Sequence, residues 1–364
     1  MKNYIFTSES ITEGHPDKIC DRIADSILDE ALRQDPHSNM AVEATIKDDF
    51  VLIYGEANTS ANIDYEKITK DTIKDIGYEE EYHVMVKVRV QSPEIHNAVV
   101  GGEHMGAGDQ GIMFGYACNE TKTFMPAPIH FAHVLAKRLS DVRRIHPTIL
   151  KPDGKTQVSV EYENGQVKRI DTILVSTQHA ANVTQQTIAQ LVMDEVINPM
   201  IDASLVDEDT KYLINPSGSF VVGGSFGDSG TTGRKIVVDT YGGMGRIGGG
   251  CFSSKDPSKV DRSAAYYSRY VAKNIVAHGL ADRCEIQLAY AIGKDQPVSL
   301  MIDTFDTNHI SNEEIEEIVA RNFDFSVANI INELDLCKPI YKETSCYGHF
   351  GRSQFPWEKI INLK

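Results

Sequence analysis

A forty-residue stretch from Gly223 to Arg262 holds eleven of the chain's 27 glycines. It also carries six basic residues, Arg234, Lys235, Arg246, Lys255, Lys259 and Arg262, against four acids, Asp228, Asp239, Asp256 and Asp261. The chain as a whole is acidic, with a formal net charge of −16. Glycine lets a backbone turn tightly and brings main-chain N–H groups close to a bound anion, while lysine and arginine supply countercharge. A cationic, glycine-rich segment in an acidic protein reads as a pocket for a polyphosphate, and nucleotides are the usual carriers of one. The attraction must be local, because the overall field repels anions.

Four loop carboxylates accompany it: Asp17 in Gly14-His-Pro-Asp-Lys18, Asp109 in Gly106-Ala-Gly-Asp-Gln-Gly111, Asp153 in Pro152-Asp-Gly-Lys155 and Asp228 in Gly227-Asp-Ser-Gly230. Each alone is explained as a helix cap or an Asx turn. Beside a cationic loop they suit a Mg²⁺–nucleotide site, since Mg²⁺ usually takes one or two protein carboxylates plus phosphate oxygens and water. His15 stands at the mouth of a helix, where the dipole favours a bound anion and disfavours an imidazolium. Glu43 and Glu56 interrupt otherwise apolar strands; a strand glutamate ordinarily faces solvent, but Glu56 follows Gly55 at a strand end, a better place to hold a ligand. Two short motifs point elsewhere and fail on context. Gly243-Met-Gly-Arg-Ile-Gly248 matches the dinucleotide fingerprint, yet no helix starts at its last glycine. Gly227-Asp-Ser-Gly-Thr-Thr-Gly-Arg-Lys235 lacks the Walker spacing and the hydroxyl after its lysine.

The elements that must position these residues recur three times. Asp17–Gln34 is an amphipathic helix with Ile19, Ile23 and Ile27 on one stripe and Pro16 in its first turn. Strands 40–46 and 50–57 follow as a hairpin, then a helix over 63–76 stopped at Gly77, then a strand over 84–90. The second pass is a helix over 129–145, a hairpin of 157–162 and 167–176 around Asn164-Gly165, a helix over 184–200 and a strand over 212–214. The third is a helix over 262–277, strands 284–291 and 298–303, and a helix over 312–321. Short strands at 111–117 and 235–239 precede the first helices of the second and third passes. The recurring element order predicts an α+β fold of three repeated β-α-β-β-α-β domains, at about 1–100, 101–222 and 223–364. Sheets covered on one side leave a face for a second subunit, so self-association is expected.

Composition bounds the function classes. At 364 residues the chain exceeds one hydrophobic core. Its acidity excludes a nucleic-acid-coating role. No apolar run reaches eighteen residues, so no membrane span is expected. Six scattered cysteines, without CxxC pairs, suit reduced thiols in a cytoplasm rather than zinc or disulfides.

Assembled in order, these segments closely resemble the S-adenosylmethionine synthetase (methionine adenosyltransferase) family over essentially the whole length. The resemblance rests on Phe6-Thr-Ser-Glu-Ser10, the Gly14–Lys18 and Gly106–Gly111 motifs, Ser176-Thr-Gln-His179, Gly227–Lys235, Asp239-Thr-Tyr-Gly-Gly243, Gly248-Gly-Gly250, Lys255–Ser263 and Tyr347-Gly-His-Phe-Gly351. It implies that the sulfur of L-methionine attacks C5′ of ATP, that the whole triphosphate leaves, and that it is hydrolysed to pyrophosphate and phosphate before release. By position, His15 should donate toward the departing oxygen and Asp17 should ligate one of two Mg²⁺ ions. Lys155, Arg234, Lys235 and Lys255 should grip the polyphosphate, with Asp153 and Asp261 nearby. Gly154, Ser219, Phe220, Cys251 and Ile292 complete the ATP set, Phe220 stacking on adenine or its neighbours. Glu56, Gln91, Asp228 and Lys259 should hold methionine, and Glu43 an activating K⁺. The resemblance also implies that the three domains stand in pseudo-threefold arrangement and exchange segments, and that the chain forms a homodimer or dimer of dimers with sheets packing at the subunit interface and the site shared between subunits. Ser219 stands where the family commonly has arginine, Ser229 where bacterial members often have cysteine, and Ser254 where glycine is usual. The segment between Gln91 and Gly106, expected to gate the site, is short. A catalytically idle nucleotide-binding homologue is the rival from another class, and should have lost His15, Asp17 or the lysines. A dinucleotide-dependent oxidoreductase is the remoter one.

Overall fold

Three small sheets, each backed by a long helix, make up the computed structural model, which describes residues 3–90 and 106–364. The first pass runs β1 (Tyr4–Ile11), α1 (Pro16–Gln34), β2 (Asn39–Lys47), β3 (Phe50–Asn58), α2 (Tyr65–Ile76) and β4 (His83–Arg89). The second runs β5 (Gly111–Cys118), α3 (Ala127–Ile145), β6 (Leu150–Glu163), β7 (Gln166–His179), α4 (Gln185–Leu191) and β8 (Lys211–Ile214). In the third, β9 (Gly230–Thr231), α5 (Val260–Ala277), β10 (Arg283–Tyr290), β11 (Ser299–Asp303) and α6 (Asn312–Asn322) follow, then α7 (Val327–Glu333). The α+β class holds, and the element order recurs, although the third pass has no strand after α6 among the described residues.

The sheets do not follow the passes. Their strand orders are β4-β3-β2-β9, β8-β7-β6-β1 and β11-β10-β5. In each, the hairpin is antiparallel and the first strand of a pass pairs with the hairpin of the next: β1 with β6, β5 with β10, and β9 with β2. The exchange is circular, so every sheet is sewn to another part of the chain by backbone hydrogen bonds. Helix α1 packs on β2 and β9, α3 on β6 and β1, and α5 on β5 and β10. One apolar core runs continuously through the first and third units, from Ile19, Ile23 and Ile27 to Tyr266 and Trp357, while α3, β6 and β7 enclose a second.

Local expectations hold where a specific residue enforces them. Pro16 occupies the first turn of α1. Gly77 ends α2 with φ of 115°, in the left-handed region that lets its N–H reach back to the Ile73 and Lys74 carbonyls. Two differ. The helix expected over 184–200 leaves α geometry after Leu191, continues as a π turn over Val192–Ile197 and is over by Asn198. The strand expected over 235–239 is a single helical turn, Ile236–Asp239, closed by the Asp239 N–H on the Lys235 carbonyl at 2.8 Å. The β-branched pair Val237-Val238 favours extended backbone, but the chain reverses at once toward Gly242, whose N–H bonds the Val237 carbonyl. The fingerprint at Gly243–Gly248 therefore follows no strand, and the next helix begins only at Val260.

Candidate active site

The site is built on α1, which is buried on two opposite faces. Its apolar stripe meets the sheet. Its other face carries Asp17, Asp21, Asp25 and Asp29, four residues apart and all buried, and each carboxylate accepts main-chain N–H groups from a loop laid over the helix. Asp17 takes Thr231 N at 3.0 Å, Asp21 takes Gly233 N at 2.8 Å, Asp25 takes Ser254 N at 3.0 Å, and Asp29 takes Tyr341 N and Lys342 N, both at 2.8 Å. The glycine-rich segment is thus laced along the helix by its backbone, while its Lys235, Lys255 and Lys259 pair with Asp17, Asp261 and Asp256. At Gly233 this lacing demands glycine: φ is +78°, and a Cβ there would lie 2.5 Å from that of Cys251.

At the mouth of α1, His15 is the N-cap, and its Nδ1 accepts the Asp17 N–H at 3.2 Å. The remaining ring proton is therefore on Nε2. Burial, with Lys235 and Lys155 nearby, pushes the His15 pKa down to about 3, so the ring is neutral at physiological pH. Asp17 is 1% exposed. Its Oδ2 takes the Lys235 ammonium at 2.5 Å, and Arg234 stands 3.8 Å from Oδ1. Burial alone would raise its pKa; the bond from Lys235 and the N–H of Thr231 hold it below the usual carboxylate range. Asp153 completes this group. Its Oδ2 takes Gly224 N at 2.9 Å, Oδ1 is buried with no hydrogen-bond partner among the described residues, and burial pushes its pKa up to about 6 against Gly224 and Lys155. Lys155 is exposed on β6, opposite Ile11 and Ser176. Gly154 is buried beside it, its carbonyl taking Thr12 N at 3.0 Å. Asp228 is exposed and near enough to act on both His15 and Asp153.

A second group gathers at the start of α5. Lys255 bonds Asp261 and Lys259 bonds Asp256, each at 2.5 Å. The loop after residue 105 lies against it, with Gly108 N donating to the Ser258 carbonyl at 3.2 Å. Ile292, half exposed, precedes Gly293, whose N–H donates to the Ala107 carbonyl in the same loop. Glu56 is exposed on β3 opposite Ala41, and Ala41 bridges to Lys255. Glu43, partly buried on β2, accepts the Tyr54 hydroxyl at 3.2 Å. The two groups meet where Gly233 touches Cys251, a thiol that burial pushes up to about 11. The third part is the loop bearing Ser219 and Phe220, tied to His179 by two hydrogen bonds. Gln91 and the expected gating segment lie outside the described residues. Asp109, exposed, accepts the N–H of its neighbour Gln110, a local turn, and no other hydrogen bond among the described residues.

Sequence models of the S-adenosylmethionine synthetase N-terminal, central and C-terminal domains match residues 3–99, 104–220 and 222–359. The chain belongs to the S-adenosylmethionine synthetase family. It is 52% identical over 372 residues to the S-adenosylmethionine synthase of Sorangium cellulosum strain So ce56, covering 99% of this chain and 88% of that protein. It is also 52% identical over 380 residues to the S-adenosylmethionine synthase of Brachyspira hyodysenteriae, covering 99% and 96%. No helix among the described residues is long and apolar enough to cross a membrane. Within this synthetase chain, sequence reasoning missed Asp21, Asp25, Asp29 and Gln178 as holders of the site's loops. The four-residue spacing of the acids along α1 was the available signal; Gln178 offered none beyond its place before His179.

One departure from the family pattern has a physical cost. Ser254 sits at φ of +84°, 1% exposed, with its hydroxyl buried and unpaired. Ser254→Gly removes both the left-handed strain and the orphan hydroxyl, and is expected to stabilise by about 1 kcal/mol. A thermal melt should shift up by about 1–2 °C for a chain of this size; an unchanged or lower Tm contradicts the account.

Proposed function

We propose that the chain joins ATP and L-methionine to make S-adenosylmethionine. The methionine sulfur forms a bond to C5′ while the C5′–O bond breaks, and the triphosphate leaves whole with the electron pair. Water then splits it to pyrophosphate and phosphate. The observation that carries this reading is the cationic cluster at the mouth of α1, where His15, its Nδ1 taking the Asp17 N–H, is flanked by Lys155 and Lys235, and Arg234 stands 3.8 Å from Asp17. A thioether is a weak nucleophile, so the rate depends on positioning and on a preorganised electrostatic environment for the leaving group. A neutral ring with its proton on Nε2 can hydrogen-bond the oxygen that gains charge, while Lys155, Arg234 and Lys235 supply the countercharge.

In this reading Lys155, Arg234, Lys235 and Lys255 hold the polyphosphate, with Asp153 and Asp261 orienting the lysines, and Phe220 and Ile292 line the adenine pocket beside Ser219, Gly154 and Cys251. Glu56, Gln91, Asp228 and Lys259 take the amino and carboxyl ends of methionine. The donor set suits Mg²⁺: the Asp17 carboxylate is ionised and buried, and the unpartnered Asp153 Oδ1 offers a second hard oxygen. Two Mg²⁺ ions held by Asp17, Asp153 and phosphate oxygens would add countercharge on the triphosphate, and K⁺ would sit at Glu43. The methionine residues fall on both groups, Asp228 with the first and Glu56 and Lys259 with the second, which supports a site completed by a second copy of the chain. Exposed apolar residues on sheet strands, among them Ile112, Leu300 and Met301, offer a face for it.

Purified protein with ATP, L-methionine, Mg²⁺ and K⁺ is expected to form S-adenosylmethionine, read by mass spectrometry. No product above a no-enzyme control across several Mg²⁺ and K⁺ concentrations sinks the reading. The idle-homologue alternative is disfavoured by the presence of His15, Asp17, Lys155, Lys235, Lys255 and Arg234.

A further inference from the structure

The loop that carries Phe220 has little packing to hold it. Val221, Val222 and Phe226 are 36%, 65% and 40% exposed. A cleft of 770 Å³ runs along its inner side, between it and Arg143, Lys151 and Tyr78. Position must then come from hydrogen bonds, and two adjacent residues at the end of β7 supply them. His179 N donates to the Phe220 carbonyl at 2.9 Å, and Phe220 N donates to His179 Nε2 at 3.0 Å. Because Nε2 accepts, the proton is on Nδ1, which donates to the Ala180 carbonyl at 3.0 Å and fixes the ring's orientation. Gln178 Oε1 takes Asp153 N at 3.2 Å while its Nε2 donates to the Val221 carbonyl at 3.1 Å. Both side chains are over nine-tenths buried.

We infer that His179 is a positioning residue for adenine. It sets the Phe220 backbone through a side-chain acceptor on one side and its own main chain on the other, while Gln178 ties the next residue to the strand bearing Asp153 and Lys155. Adenine recognition and polyphosphate recognition are thereby registered against each other by two neighbours on one strand. This deepens the function proposed above and rests on it: Phe220 must face adenine for the geometry to matter.

The test separates the base from the phosphates. Tripolyphosphate contains no adenine, so its hydrolysis reports the phosphate end alone. His179→Phe keeps a ring but leaves the Phe220 N–H without its acceptor. It is expected to raise KM for ATP about tenfold, the factor expected for one unpaired amide hydrogen. Its kcat, and the hydrolysis of added tripolyphosphate, should stay within about threefold of the unsubstituted protein, the ordinary scatter for a contact outside the chemistry. His179→Gln, whose amide oxygen can replace Nε2, should restore KM for ATP. If His179→Phe fails to fold, His179→Met against His179→Gln reads the same contrast. Loss of both activities together, or an equal KM for ATP in the Gln and Phe or Met variants, overturns the inference. Absence of S-adenosylmethionine formation by the unsubstituted protein would instead overturn the function beneath it.

Discussion

Lys235→Met is expected to lower kcat for S-adenosylmethionine formation by about 10²–10³-fold, or about 3–4 kcal/mol of barrier, the scale for removing one preorganised charge stabiliser. Methionine preserves most of the stem, which is four-fifths buried, and deletes only the ammonium. The loop keeps its other ties to α1, since Thr231 N and Gly233 N still bond Asp17 and Asp21. The effect therefore falls on charge. Triphosphate loses a cation, and Asp17 loses the strongest of the groups that hold its pKa down against burial. That second consequence has its own signature. With Lys235 gone, the Asp17 pKa rises, its ionised form is lost as pH falls through the higher value, and the variant's activity declines on acidification at a higher pH than that of the unsubstituted protein. Measured kcat against pH, with excess Mg²⁺ and methionine, reads both. A near-normal kcat would remove Lys235 from the phosphates. A low kcat with an unmoved acid limb would leave Asp17 out of the account.

How much of this was legible in the sequence depends on the range over which each interaction acts. Helix α1 was readable because Ile19, Ile23 and Ile27 recur at helical spacing and Pro16 marks the first turn. The β6–β7 hairpin was readable because Asn164-Gly165 accept positive φ, at 53° and 82°. The exchange of segments was implied only by the family resemblance, and the circular pairing of β1, β5 and β9 could not be read from residue pattern, because it is made by main-chain groups that are identical in every residue. Side chains only say which face of a strand is buried, not which sheet receives its edge. The two-residue strand β9 shows the same limit, since its partner Thr45 lies far away in the chain. At the site, the residue types and the family motifs named the cations and acids. Their pairing was partly readable: Asp256 and Lys259 sit one turn apart, and Lys255 and Asp261 lie six residues apart at a helix start. The neutral state of His15 was only half readable. The helix dipole argued against an imidazolium, but the larger cause is burial beneath loops from elsewhere in the chain. Gln178 and His179 had no readable role, because what they hold is backbone.

Arg262→Met is expected to destabilise the fold by about 3–5 kcal/mol, the scale for breaking a buried pair by removing one partner. Arg262 is 1% exposed, and nearly all its donors are used. Two N–H groups bond the Asp25 carboxylate at 2.8 Å each, one also reaches the Lys255 carbonyl at 3.2 Å, another reaches Thr344 Oγ1 at 2.9 Å, and Nε reaches the Tyr266 hydroxyl at 3.0 Å. Its guanidinium also lies 4.2 Å from the centre of the Tyr341 ring. Asp25, itself fully buried, would be left with only Ser253 Oγ and Ser254 N. Much of the cost is therefore the stranded carboxylate rather than the lost bonds. A paired substitution, Asp25→Leu with Arg262→Met, removes that charge as well and is expected to lose less than the two single changes added together. Urea unfolding midpoints of the four proteins measure the difference. Because Arg262 holds the Lys255 carbonyl, whichever variant remains folded should also show a raised KM for ATP, linking the buried face of α1 to the polyphosphate. Strict additivity, or a loss under about 1 kcal/mol for Arg262→Met, the range of exposed ion pairs, would mean that the acidic face of α1 does not hold the loops in place. The site's cations would then depend for their position on the bound polyphosphate itself.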